Sequence, residues 1–94
     1  MEVRYHLDPE TGQPHIWGHG VTEQEVGEVL DGRGEDLRAA RDSRRKIGQT
    51  AAGRYLHVFY VPDEDPESVF VITAYELRGK AKRAFRRRQR RKPK

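Results

Sequence analysis

The sequence predicts one small α+β domain: an antiparallel sheet of about four strands with an N-terminal capped helix and a C-terminal basic helix, in the order β-α-β-β-β-α. Three observations lead there. Ninety-four residues with five prolines and nine glycines suffice for one modest core and not for two. Two helical patterns lie at either side of a block of strand-like segments, and the links inside that block are short enough for hairpins.

The elements follow in order. Val3-Arg4-Tyr5-His6-Leu7 alternates apolar and polar and stops at the turn-forming Asp8-Pro9-Glu10-Thr11-Gly12, which predicts a first strand. His15 to Gly20 reads as a loop or extended stretch, because Gly18 and Gly20 suit unusual backbone angles. Thr22-Glu23-Gln24-Glu25 is a capping box, with Val21 and Val26 at the staple positions around it. Val26, Val29 and Leu30 then form an apolar stripe, and Gly32 offers a left-handed stop, so a helix is expected over residues 23–31. Residues 32–43 are polar and weakly patterned, a loop with at most a strand around Leu37 to Ala40. Arg45 to Thr50, Tyr55 to Val61 and Val69 to Tyr75 read as strands. Tyr55, His57, Phe59 and Val61 share one face of the middle strand and Leu56, Val58 and Tyr60 the other. A strand apolar on both faces is usually covered twice. One face falls to the helices; the other is expected to lie under the N-terminal segment through Trp17, or else to form a contact surface rich in Tyr and His.

From Leu77 the period changes. Leu77, Ala81, Ala84 and Phe85 fall at i, i+4, i+7 and i+8, one stripe of a basic amphipathic helix. The domain is therefore expected over residues 1–85, with residues 86–94 as a basic tail that frays because it has no apolar anchor and carries like charges at i, i+4.

Charge is unevenly distributed. Residues 1–77 hold 8 Lys/Arg against 15 Asp/Glu, net −7, whereas residues 78–94 hold 11 Lys/Arg and no acid. Such asymmetry predicts binding to a polyanion or to an acidic partner. Cysteine is absent, which excludes disulfides, thiolate zinc sites and cysteine nucleophiles. Apolar runs reach only about five residues and the N-terminal stretch lacks a signal-peptide pattern, so a soluble cytoplasmic protein is expected, with no membrane partner.

Lys80, Lys82, Arg83, Arg86, Arg87 and Arg90 are candidates to neutralise phosphates; the plainer reading is a solubilising or antitoxin-docking tail. Phosphate contacts position a nucleic acid without reading its sequence. His15 and His19 have the i, i+4 spacing of zinc ligands, but the glycines around them argue against a helix and no third ligand follows, so no metal or other cofactor is expected. His57 is either a hydrogen-bonded structural histidine or a general acid or base. Phosphate loops and serine-hydrolase elbows are missing. The remaining Arg, Lys, Tyr and His suit metal-free RNA cleavage, in which a base activates the 2′-hydroxyl, cations stabilise the phosphorane and an acid protonates the leaving oxygen.

The order His19-Gly20-Val21-Thr22-x-x-Glu25, then Ile47-Gly48-Gln49-Thr50, then Gly53-Arg54-Tyr55-Leu56-His57-Val58, then Val71-Ile72-Thr73-Ala74-Tyr75 before a basic helix, resembles the BrnT-like toxins and a related group of uncharacterised small bacterial domains. The resemblance spans residues 3–86 and implies a RelE-like fold and the toxin role in a type II toxin–antitoxin pair. It carries His19, Arg54 and Arg83 over as matched positions. Gly18, Tyr75 and Lys82 depart from the toxin pattern at charged positions, while Tyr75-Glu76-Leu77-x-Gly79-Lys80 fits the uncharacterised group more closely. Together these lines predict a metal-independent endoribonuclease in which His19 or His57 moves protons, Tyr75 assists, and Arg54, Arg83 and Lys80 hold phosphate. The expected partners are RNA, a cognate small DNA-binding antitoxin and a second copy of the chain. The rival reading is a non-catalytic nucleic-acid-binding or partner-binding module of the same fold.

Overall fold

A computed structural model describes residues 1–65 and 67–91. Strands β1 (Glu2–Tyr5), β2 (Gly34–Arg38), β3 (Arg44–Gln49), β4 (Tyr55–Pro62) and β5 (Ser68–Glu76) form one sheet in the order β1-β5-β4-β3-β2. A 3-10 helix (His15–His19) and helix α1 (Glu23–Asp31) fall between β1 and β2, and helix α2 (Gly79–Arg91) follows β5. The α+β class and the two helices match expectation. The strand count and the uniform antiparallel arrangement do not: the sheet has five strands and is mixed.

Both differences arise at the sheet edges. β1 runs parallel to β5, with Val3 beside Val69 and Tyr5 beside Val71. Its direction is set by the return of the chain through the Asp8 turn and α1, not by its own residues. β2 pairs antiparallel with β3 from Gly34–Gly48 to Arg38–Arg44, where a loop was expected. Its charged sequence suits an exposed edge strand. Tertiary bonds hold it: the Tyr60 hydroxyl donates to Asp36 Oδ2 at 2.7 Å, and Arg44 Nε donates to Asp36 Oδ1 at 3.0 Å. Burial, with Asp36 alongside, pushes the Tyr60 hydroxyl up to about 12, so it stays a neutral donor.

α1 begins as its sequence dictates. The Thr22 hydroxyl accepts from the Glu25 amide while the Glu25 carboxylate accepts from the Thr22 amide, and Val21 and Val26 are both buried. The helix ends differently from expectation, because Gly32 is extended (φ −90°) and not left-handed. Lys46 Nζ instead donates to the carbonyls of Leu30 and Gly32, at 3.3 and 2.9 Å. Residues 15–19 also correct the loop reading: they form a 3-10 helix closed by Gly20 at φ +71°.

Leu56, Val58 and Tyr60 point into the larger core with Ile16, Val21, Val26, Val29, Val71 and Ala74. Each such side chain taken out of water stabilises the fold by about 1.5–3 kcal/mol. At the bulge in β5, Thr73 pairs with Phe59 and Val71 with Tyr60, leaving Ile72 as the extra residue. The smaller core gathers Ile47, Leu77 and Phe85 against Tyr55. Val29 approaches Gly48 on β3 while Phe85 packs with its neighbour Ile47. Adjacent strand residues face opposite ways, so α1 and α2 cover opposite faces of the sheet. α2 takes only part of its face, and the expected closure of the rest by Trp17 is not seen: Trp17 is 46% exposed, with its indole N–H bonded to Glu23. α2 is helical through Arg91, beyond the expected boundary at residue 85; residues 92–94 of the expected tail lie outside the described residues.

Candidate functional site

α2 covers only the Ile47–Tyr55 part of its face, and the remainder carries aromatic and imidazole rings. His57 on β4 stands directly across from Tyr75 on β5, with ring centroids 4.0 Å apart at 72°. Phe59 is 5.2 Å from His57 and stacks on Tyr75 at 5.8 Å. The left-handed turn at Gly20 leaves His19 beside the same tyrosine, 5.5 Å between ring centroids. Tyr75 remains 38% exposed, so the trio is open to a large ligand.

From His19 the run continues. His15 lies 5.1 Å from His19, His6 lies 5.7 Å from His15, and Phe70 lies 6.5 Å from His6. The Arg4 guanidinium ends the run 5.4 Å over the Phe70 ring. All four histidines of the chain thus join one row of rings along the sheet. His15 Nδ1 is fixed by Asp8 Oδ1 at 2.7 Å. Burial lowers the pKa of His57, and the positive charge of Arg45 lowers it further. Its imidazole is therefore neutral at neutral pH, the form that accepts a proton. His57 Nδ1 and Thr73 Oγ1 are buried with no hydrogen-bond partner among the described residues.

The structure brings His19, His57 and Tyr75 together but seats Arg54 elsewhere. Arg54 Nη1 donates to the Gly20 carbonyl at 2.8 Å and to Glu25 Oε1 and Oε2 at 3.1 and 3.2 Å, while its Nε reaches Glu76 Oε1 at 3.4 Å. Burial pushes the Glu25 carboxyl up, but the Thr22 amide and Arg54 hold it below the ordinary value. Arg54 thereby braces the turn that carries His19. Its guanidinium is occupied by carboxylates and a carbonyl.

The cations of α2 divide by role. Lys82 and Arg86 lie over the Tyr55 ring at 5.2 and 5.9 Å. Arg88 makes a two-pronged pair with Glu35 at 2.6 and 2.7 Å. Lys80, Arg83 and Arg87 are exposed and have no partner among the described residues; Arg90 is exposed beside Arg86 at a cleft. Arg4, His6, His15, Arg45 and Phe70 were not singled out from sequence for this face. Arg45 could have been, since it lies two residues from Ile47 on a strand; His15 joins through the 3-10 helix it shares with His19, and His6 through the local bridge at Leu7 and Pro14. Among the described residues, no three His, Cys, Asp or Glu side chains gather as a metal site requires. No helix among them is long and apolar enough to cross a membrane.

No family model, curated protein or solved structure matches the chain.

Proposed function

We propose that the protein binds RNA and cleaves it without a metal, as a BrnT-like type II toxin, with chemistry on the histidine face and affinity from α2. The observation that carries this reading is the meeting of His57, Tyr75 and His19 on an uncovered part of the sheet. Neutral His57 takes the proton of a 2′-hydroxyl as its oxygen attacks the adjacent phosphorus. His19, across Tyr75, delivers a proton to the departing 5′-oxygen, leaving a 2′,3′-cyclic phosphate and a 5′-hydroxyl end. Arg45 is the nearby cation for the charge that develops on phosphorus. The exposed Lys80, Arg83 and Arg87 draw the backbone in from solution. A small DNA-binding antitoxin and action in the cytoplasm belong to the same reading.

The test is incubation of the purified protein with total RNA and analysis of the ends produced, alongside inducible expression. Cleavage with cyclic-phosphate ends is expected, and His57→Ala or His19→Ala should slow it by about 10²-fold or more. Intact RNA and unchanged growth, with a protein shown to be folded, would sink the reading. One observation favours the rival, a non-catalytic nucleic-acid-binding or partner-binding module: Arg54 is bound to Glu25 and Glu76 and does not present its guanidinium to a phosphate. In that case deleting residues 86–94 abolishes binding and no cleavage accompanies it.

A further inference from the structure

Away from the histidine row, the second half of α2 and the β3–β4 end of the sheet enclose a cleft of about 470 Å³. That is the size of a small-molecule site. Three guanidinium groups line it, Arg33 just before β2 and Arg86 and Arg90 from α2, and no carboxylate among the described residues shares the lining. Arg86 and Arg90 are four residues apart, with Gln89 between them on the same side of the helix. Like charges so placed repel, and an anion between them would replace that repulsion with attraction. Arg88 does not join them, because Glu35 holds it.

The other walls are not those of a bare anion site. Tyr55 supplies an aromatic side to the cleft, its ring met edge to face at 6.1 Å by Phe85, which is itself buried in the smaller core. Gln89 also lines the cleft, and its Nε2 is buried with no partner among the described residues. An unsatisfied buried donor is destabilising, so this amide is matched to an acceptor that a ligand brings. Cations, an aromatic wall and an amide donor in one cleft are the complement of a phosphate joined to a heterocyclic base.

We infer that this cleft binds a nucleoside monophosphate group. Arg33, Arg86 and Arg90 hold the phosphate, the base lies along Tyr55, and Gln89 donates to an acceptor on the ligand. Two sources present this chemistry, a free mononucleotide and the 5′-phosphorylated end of an RNA. The site lies on the same side of the sheet as the proposed catalytic rings but shares none of their residues, and it stands without them.

Calorimetric titration of the full chain with AMP, adenosine and inorganic phosphate tests it. AMP should bind about tenfold or more tightly than adenosine or phosphate. Arg33→Gln and Arg90→Gln should each weaken AMP by about tenfold, whereas Arg38→Gln, the same charge change at the distant β2 end, should not. A 5′-phosphorylated trinucleotide binding more tightly than AMP, and more tightly than its 5′-hydroxyl form, identifies the RNA end as the source; the reverse order identifies the free nucleotide. The inference is overturned if AMP binds no better than adenosine or phosphate, or if Arg38→Gln weakens it as much as Arg90→Gln does in variants with wild-type melting temperatures. Binding is read without any cleavage step, so a bound nucleotide beside uncut RNA removes the nuclease and leaves this site.

Discussion

His57 ties stability to pH through one proton. In the unfolded chain its imidazole titrates at the ordinary value of 6.5; in the folded protein burial and then Arg45 lower that value. Between the two values the unfolded state binds more protons, so acid favours unfolding and stability rises with pH across the window. The contribution is complete above about pH 6.5 and is lost as pH falls toward the folded-state value. Urea unfolding from about pH 7.5 to about pH 5.5 should show wild type weakening, and His57→Phe should flatten part of that slope. An unchanged slope would mean that the imidazole is not held neutral by its surroundings. Residue type alone made His19, His57 and Tyr75 legible as candidates. What the sequence concealed was proximity: His19 meets Tyr75 only because the folded chain seats the 3-10 helix against β5, a contact that no local pattern encodes. Arg54 shows the converse, since its chemistry suits phosphate while its surroundings, Glu25 and Glu76, claim it.

At the scale of elements, what could be read locally was α1, whose capping box, staple and stripe all lie within ten residues. Strands β3, β4 and β5 were legible to within a residue or two for the same reason, their periodicity being internal. β2 was not, because its stability comes from partners on other strands. Gly34 marks how close that pairing is: at φ +152°, an added Cβ would collide with the carbonyl of Ile47. Gly34→Ala should therefore cost about 2 kcal/mol or more and selectively deprotect the β2 amides in hydrogen exchange, with α1 unaffected. Loss of protection spread evenly through the sheet would contradict the assignment of β2 as a separately held edge. The end of α1 teaches a related lesson. Gly32 promised a left-handed stop, yet a lysine two strands of sequence later supplies the cap.

The whole molecule keeps its charges apart, an acidic body carrying a basic helix, and the structure adds that some cations of that helix are already committed. Arg88 belongs to Glu35 and Lys82 to the Tyr55 ring, while Arg86, over the same ring, lines the cleft. Those left for a polyanion include Lys80, Arg83 and Arg87. RNA affinity should fall steeply with salt, and Arg83→Gln with Arg87→Gln should flatten the log–log slope by about 0.7 for each phosphate contact removed. A slope insensitive to both changes would place the RNA on some other surface. The parallel strand at the edge has a further consequence, for synthesis. Residue 2 pairs with residue 68, and the ring row runs from His6 to Tyr75. On the ribosome, α1 and the β2–β3 hairpin can form early, but the N-terminal strand must wait for nearly the whole chain to emerge before it finds its neighbour. The histidine row is consequently a property of the finished polypeptide, and a nascent or clipped fragment ending before β5 cannot present it.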